Sequence, residues 1–386
     1  MKRLRAQHAN SPSLRRPVKR SVPCPRTPEL VQKSIADAWG VAPPRPPIIS
    51  LGQPSPVGSS EATVDVVYAV DLFCGMGGWS CGAKQSGYEI VLAVDSDRDI
   101  LGIHKLNHPR AAHYSMQLGP ATQPDLERII AERVPEGARW HLHGSPPCQT
   151  ISNLHALSKT NKFGEGMDMI MWFLQLVFKL NPTTWSFEQV PEREIMGMLR
   201  WMRYQHPHTV QFGRFDFADY GLCQHRIRVL AGSPSLLDPM LHDPALRAAH
   251  PILTNLITPP DNAAWLRAGC GKTPKPHATV AHADGTFTNS TIRRDVRTVH
   301  AIAWTCLAYH PHAFLTADYK HIRYLSPLEM ATIQSFPLKY ALHPKHCPKN
   351  TVMRAIGNAL PPLVSRLMTR GHADASMSPS VSAKSL

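Results

Sequence analysis

Three short runs hold the residue types from which chemistry can be built. The first, His141-Leu-His-Gly-Ser-Pro-Pro-Cys148-Gln149, ends on a thiol behind two prolines. Proline fixes φ and stiffens the turn, which would hold that thiol in place. A lone cysteine is more often a small buried hydrophobe than a nucleophile. Here a polar, Gly- and Ser-containing stretch (149–166) follows it, reading as a loop able to close over a substrate. The second run, Asp71-Leu-Phe-Cys-Gly75-Met-Gly77-Gly78, lies about seventy residues earlier and follows an apolar stretch. Asp95 ends the next apolar stretch, twenty residues after Gly75. Glycines let the backbone approach a ligand, and an acid at that offset can accept ribose hydroxyls. The spacing is not GxGxxG, so S-adenosylmethionine, which has no pyrophosphate, fits better than a dinucleotide. The third run places Glu188 at the end of Thr184-Trp-Ser-Phe. An acid there is costly unless paired or used. Gln224-His-Arg226-Ile-Arg228 offers partners.

These residues need elements to position them. Strands are expected over 66–73, 89–94, 140–143, 184–187 and 226–231. Helices are expected from 79 to 85, 98 to 106, 125 to 133, 166 to 180 and 192 to 204. Such alternation predicts a parallel sheet covered on both faces, a doubly wound α/β domain. Ligands of such sheets bind at the carboxyl ends of the strands, where Asp71 to Gly78, Asp95, Cys148 and Glu188 all fall. Between 233 and 320 the periodicity fades into an irregular stretch without Glu. Helical patterning returns at 328–336 and 352–370.

Composition bounds the partners. The chain has 386 residues and a net charge of +14, which favours a polyanion such as nucleic acid. Residues 1–26 alone carry eight Lys or Arg and no acid. Residues 1–62, basic and then proline-rich, are expected to be disordered, with one short helix at 29–39. Arg15-Arg-Pro-Val-Lys-Arg20 reads as a nuclear-import patch or equally as a DNA-binding arm, which places the protein in a nucleus, otherwise in the cytoplasm. The eight cysteines show no CxxC pair, arguing against structural zinc and a disulfide framework. His141/His143 and His343/His346/Cys347 are candidate metal groups, but histidines such as these usually satisfy local hydrogen bonds; no metal is expected. The longest apolar run, 169–178, is too short for a bilayer, and no membrane partner is expected.

Six motifs now stand in order, and they resemble those of the cytosine-5 DNA methyltransferases across residues 64–370. Asp71 to Gly78 is similar to the family's cofactor loop, and Pro146-Pro147-Cys148-Gln149 to its nucleophile motif. Glu188-Gln-Val190 sits where Glu-Asn-Val is usual. Asp219-Tyr-Gly-Leu-Cys-Gln-His-Arg226-Ile-Arg228 resembles its Gln-x-Arg-x-Arg strand. Arg323-Tyr-Leu-Ser-Pro-Leu-Glu329 through Pro337, and Gly357-Asn-Ala-Leu-Pro-Pro362, fit the last two. The resemblance implies a Rossmann-like methyltransferase sheet in residues 63–232, completed by 321–370. It also implies a smaller target-recognition domain inserted at 233–320; the small, polar composition of 371–386 separately predicts a disordered tail.

The resemblance further implies a DNA substrate, S-adenosylmethionine as methyl donor and a base flipped out of the duplex. A monomer is expected. Cys148 would add to carbon 6 of cytosine, Glu188 would bind ring nitrogen 3 and the exocyclic amine, and Arg228 the carbonyl. Arg226 would orient Glu188. Phe73 would pack on the adenine, Asp95 would take the ribose, and Gly75, Gly77, Gly78, Pro147 and Asn358 would border the cofactor. Ser152 would reach a phosphate, and Arg293, Arg294 and Arg297 would meet phosphates or guanines. The chain departs from the pattern at Gln189, at Thr150-Ile-Ser and at Leu222-Cys223. The usual acid near the third strand is missing, with Gln117 as the substitute. Two other readings stay open: an RNA cytosine methyltransferase of the same fold, and a catalytically silent DNA-binding regulator. The absence of a Cys-Phe-Thr tripeptide counts against the tRNA-methylating branch.

Overall fold

Short runs hidden from solvent on both faces make the central strands. β1 (Tyr68–Leu72), β4 (Trp140–Gly144) and β5 (Thr184–Gln189) are buried almost throughout. Such runs suit strands covered on both faces. The computed structural model describes residues 66–147, 162–251, 253–259, 322–342 and 347–374. It also describes the short pieces 264–266, 279–281, 287–289, 296–298, 303, 305–306 and 313–315. The expectations for 1–62, Cys148, Ser152, Arg293 and Arg294 lie outside these residues, as do the side chain of Arg297 and the histidines His343 and His346.

The main sheet has seven strands in the order β3-β2-β1-β4-β5-β7-β6, adding β2 (Glu89–Asp95), β3 (Ala112–Ser115), β6 (Gln211–Asp216) and β7 (Ile227–Gly232). β3 through β5 run parallel, as expected. The other two do not: β7 pairs antiparallel with β5, and β6 antiparallel with β7. The all-parallel expectation is corrected at this edge. β3 and β6 escape a reading of periodicity because both are edge strands with partly exposed faces, and β6 carries Gly213 and Arg214.

Helices α1 (Gly78–Gln85), α2 (Arg98–Asn107) and α3 (Gln123–Arg133) follow the first three strands. α4 (Lys162–Leu180) follows β4 and α5 (Arg193–Gln205) follows β5. α4 begins at Lys162, so the loop expected to reach 166 ends earlier. Its Phe173 ring lies where a Cβ on Gly144 would sit, 2.2 Å away, so only glycine lets this helix lie so close to β4. α6 (Pro234–His242) was not expected, because Pro239 inside the run reads as a breaker.

After α6 come the short strands β8 (Ala264–Leu266), β9 (Thr279–Ala281), β10 (Phe287–Asn289), β11 (Val296–Thr298), β12 (Ala313–Leu315) and β13 (Ile322–Tyr324), forming a four-stranded sheet (β11-β8-β12-β13) and a two-stranded one (β10-β9). α7 (Pro327–Ile333) opens with a capping box between Ser326 and Glu329. The helical run expected at 352–370 is two helices, α8 (Lys349–Asn358) and α9 (Pro362–Asp374), parted by Ala359-Leu-Pro361. α9 packs on α1: Ser365 Oγ donates to Trp79 O at 2.7 Å, and Ser86 Oγ to Arg366 O at 3.0 Å. The end of the chain thereby closes over its first βα unit. Among the described residues no helix is long and apolar enough to cross a membrane.

Candidate active site

The cleft opens at the carboxyl ends of β1, β2, β4 and β5, closed on one side by α8. Phe73, Gly75, Gly78, Asp95, Pro147, Glu188, Arg226, Arg228 and Asn358 all border it. Of the expected catalytic and cofactor residues within the described chain, Gly77 stands apart from it. It caps α1 at φ +93°, and a Cβ there would lie 2.7 Å from the Tyr340 hydroxyl. Gly77 is thus needed for packing against Tyr340, whose hydroxyl donates to Met76 O at 2.6 Å. Gln117 is exposed and does not border the cleft either.

On the β1–β2 side the glycine loop is tied to Asp95. Gly75 N donates to Asp95 Oδ2 and Asp97 N to Oδ1, both at 2.9 Å. Burial raises the Asp95 carboxyl pKa, against the pull of these two amides. Asp95 therefore shapes the loop as well as facing the cleft. Gly75, at φ +53°, has nothing within 4 Å of where a Cβ would stand, leaving room for a ligand against the backbone. Gly78 serves the opposite need: its Cβ would be 2.1 Å from Leu360 O. Phe73, in left-handed backbone at φ +56°, sets its ring edge-on to Trp172 with centroids 6.2 Å apart. Sequence reasoning missed Asp97 and Arg354. Asp97 caps α2 by accepting from Asp99 N and Ile100 N, and its other oxygen meets Arg354 of α8 at 2.5 Å. That pair clasps the cleft from above, and its signal in the sequence was only an Asp before a helical run.

The other side gathers charge. Arg228 Nε lies 3.0 Å from Glu188 Oε1, both largely buried. The contact has ion-pair distance without hydrogen-bond alignment, since Oε1 accepts no aligned bond. Charge holds the pair, and acceptor capacity remains on the carboxylate. Arg228 thus stands directly against the Glu188 carboxylate. Arg226 is itself buried, donating to Ala359 O at 3.1 Å and Cys306 O at 3.4 Å. Gln224 works beside it: Nε2 donates to Gln334 Oε1 at 2.5 Å, and Oε1 accepts from Cys306 N at 2.8 Å. Gln334 in turn donates to Ile356 O and Ala359 O. Three distant segments meet on these three side chains.

The Pro146–Pro147 turn is held at its base. Gln189, one of the departures noted above, donates from Nε2 to Pro146 O at 3.0 Å and accepts from Val190 N at 2.8 Å. Ser145 Oγ meets His143 Nε2 at 3.0 Å. His141 and His143 are thus hydrogen-bonded core groups, and among the described residues no cluster could hold a metal ion. Cys74 also borders the cleft, but burial first, then Asp71 and Asp95, pushes its thiol pKa well up, so it stays protonated and unreactive.

An α/β sheet with a glycine loop after β1, an acid ending β2 and a Glu–Arg pair across β5 and β7 defines a Rossmann-like methyltransferase. The chain belongs to the C-5 cytosine-specific DNA methylase family, matching it over residues 67–233 and 267–372, and is by that membership a DNA (cytosine-5-)-methyltransferase. It is similar to the type II methylase M.HgiDII of Herpetosiphon aurantiacus, 22% identical over 355 residues, covering 78% of this chain and 93% of that one. It also resembles the type II methyltransferase M.XorII of Xanthomonas oryzae pv. oryzae, 29% identical over 172 residues, covering 42% of this chain and 39% of that relative. Among solved structures it matches a candidate DNA modification methyltransferase encoded within an E. coli prophage, with TM-score 0.53 and 19% identity. That match covers 79% of this chain and 98% of the other, and supports the fold.

Proposed function

We propose that this protein transfers a methyl group from S-adenosylmethionine to carbon 5 of a cytosine flipped out of DNA, through a covalent adduct on Cys148. The observation that carries the reading is convergence. The turn leading into Cys148, the Glu188–Arg228 pair and the Asp95-anchored glycine loop border one cleft. The donor set suits the cofactor: open space against Gly75 for a close-lying chain, Asp95 oxygens for ribose hydroxyls, and the Phe73 ring for an adenine. When bound, S-adenosylmethionine supplies an electrophilic methyl group.

The protein's residues then do the rest. Carbon 5 of cytosine is a poor nucleophile. Addition of the Cys148 thiolate at carbon 6 turns the ring into an enamine. Glu188 bonds ring nitrogen 3 and stabilises the charge that develops there, with Arg228 fixing its carboxylate. After methylation the carbon 5 proton leaves, the ring double bond re-forms and the thiolate departs with its own electron pair. Gln189, where Asn is usual, holds the Pro146–Pro147 turn through Pro146 O.

Duplex DNA carrying 5-fluorocytosine tests this, because fluorine blocks the last elimination. With S-adenosylmethionine the wild type should form a denaturant-stable adduct, and Cys148→Ser should form none while still binding DNA. An adduct on the serine variant would remove Cys148 from the mechanism. Methyl transfer to RNA but not to DNA would favour the RNA enzyme, and transfer to neither would favour a silent regulator.

A further inference from the structure

β4 and β5 present four polar side chains on one buried face. Their register sets His141 beside Thr184 and His143 beside Ser186. All four are at most 3% exposed. They form one unbroken run with Ser145. Ser145 Oγ lies 3.0 Å from His143 Nε2, and His143 Nδ1 lies 2.8 Å from Ser186 Oγ. Ser186 Oγ lies 2.8 Å from His141 Nε2, and His141 Nδ1 lies 2.9 Å from Thr184 Oγ1. The Trp79 ring stacks over both imidazoles, centroids 4.6 Å from His143 and 5.0 Å from His141, and fixes their planes. One end of the run, Ser145, borders the cleft. The other, Thr184, lies beside Tyr88, which borders a separate surface recess with Lys84, Glu89 and Arg110.

Apolar residues would build this core at lower cost, since buried polar groups must all be satisfied. The run is also ordered in a particular way. Burial and the neighbouring His141 keep His143 neutral. A neutral imidazole donates at one nitrogen and accepts at the other, while a hydroxyl does both. A chain of alternating hydroxyls and imidazoles therefore has two self-consistent directions. Switching between them moves one proton equivalent from end to end.

The proposed reaction needs such a path. Hydrogen is replaced by a methyl group that arrives from a sulfonium without a proton, so each turnover frees one proton in a cleft occupied by DNA. We propose that Ser145, His143, Ser186, His141 and Thr184 form a relay that carries this proton out of the cleft, an inference that rests on the methyl-transfer reading above. As the carbon 5–hydrogen bond breaks, its electron pair restores the ring double bond and the thiolate leaves. The freed proton reaches Ser145 Oγ, directly or through one cleft water. The Ser145 proton moves to His143 Nε2, and the Nδ1 proton to Ser186. The Ser186 proton moves to His141 Nε2, the His141 Nδ1 proton to Thr184, and the Thr184 proton to solvent at the Tyr88 end. Once product has left, the reverse run takes up a solvent proton at the Thr184 end, discharges one through the open cleft at Ser145 and so resets the direction.

Two variants test the relay. Ser186→Ala removes the middle hydroxyl, at a residue that does not border the cleft. Turnover should fall by about a hundredfold or more, the lower end of what a proton-transfer group contributes. Adduct formation on 5-fluorocytosine DNA, which needs no loss of the carbon 5 proton, should stay within about twofold, and release of tritium from carbon 5 should slow with turnover. His143→Gln keeps one donor and one acceptor, enough to hold Ser145, yet cannot exchange them by a proton hop. Its turnover should stay low, and the solvent deuterium isotope effect of the wild type should be lost. Full turnover with a wild-type isotope effect in either variant overturns the relay and leaves the run as scaffolding. Equal losses in trapping and turnover overturn it too, and thermal melting of both variants identifies simple unfolding. Absence of methyl transfer by the wild type itself overturns the underlying reading instead, and the relay with it.

Discussion

The two halves of the sheet serve the cleft in different ways. In the parallel half each strand brings its own helix, and the functional residues sit where a strand ends: the glycine loop after β1, Asp95 closing β2, the Pro146–Pro147 turn after β4. In the antiparallel edge the useful residues sit where a strand begins. Arg226 precedes β7 and Arg228 is its second residue. Because β7 runs against β5, its start lies at the carboxyl edge, and Arg228 meets Glu188. A parallel β7 would carry that arginine to the opposite edge, about 17–20 Å away for a strand of this length. The reversal expected least from the alternating pattern is the one that brings the charge pair together.

If that junction is where reaction chemistry lies, Glu188→Gln should produce the largest loss. It keeps the shape but removes the charge that Arg228 holds. The methyl-transfer rate in a single turnover should fall by about 10²–10⁴, with cofactor affinity near wild type. A loss confined to cofactor affinity would break the division between the halves.

The parallel half predicts the converse. Asp95→Ala removes a carboxylate facing the cleft and frees Gly75 N and Asp97 N together. S-adenosylmethionine binding measured by calorimetry should weaken by about 1–3 kcal/mol, and the rate at saturating cofactor should fall less. Unchanged affinity would show that neither the acid nor the loop anchoring it provides makes the cofactor site.

Gln189 belongs to the junction but touches no reacting atom, so its effect should be smaller. Gln189→Ala leaves Pro146 O without its donor and loosens the turn. Turnover should drop about tenfold, in line with the cost of orphaning a buried acceptor, while Glu188-dependent adduct chemistry persists at a slower rate. Gln189→Asn, too short by one methylene to span the same gap unaided, should recover only part. Full activity in the alanine variant would leave the turn supported by Ser145 alone.

Much of this cleft was legible because its residues lie in contiguous runs at strand ends. Phe73, Gly75, Gly78, Asp95, Glu188 and Arg228 could each be placed from local pattern, and all border the cleft. What stayed hidden depends on pairing across the chain. The direction of β7 leaves no mark in its apolar pattern, and so neither does the Arg228–Glu188 contact. Gly77 looked like its neighbours, yet a tyrosine 263 positions away decides its place. The Asp97–Arg354 clasp spans 257 positions. The histidines of β4 read correctly as hydrogen-bonded, but their partners on β5 emerge only from the register of the two strands.

The smallest expected effect lies under the parallel half, at Asp71. Burial pushes its carboxyl up to about 7, against the hydrogen bond that Ser80 Oγ donates at 2.6 Å. His104, behind Ser80, is pushed down to about 3, chiefly by burial. Its 3.9 Å approach to Asp71 is therefore no ion pair at neutral pH; His104 Nε2 and Ser80 Oγ, 3.1 Å apart, bond instead. The two groups act on stability with opposite signs. Asp71 holds a proton in the folded state that the unfolded chain releases above its ordinary value of 3.8, so its contribution is full below that pH and is lost as pH rises through about 7. His104 contributes fully above 6.5 and loses that contribution as pH falls towards about 3. Between these limits the two offset each other. Asp71→Asn keeps an acceptor for Ser80 and removes only the first slope. Melting scans should then show the variant gaining on the wild type between pH 5 and pH 8 by a few degrees, the shift expected of about 1 kcal/mol in a domain of this size. Parallel melting curves would mean that Asp71 stays ionised in the fold, and that the parallel half carries its buried charge without a proton.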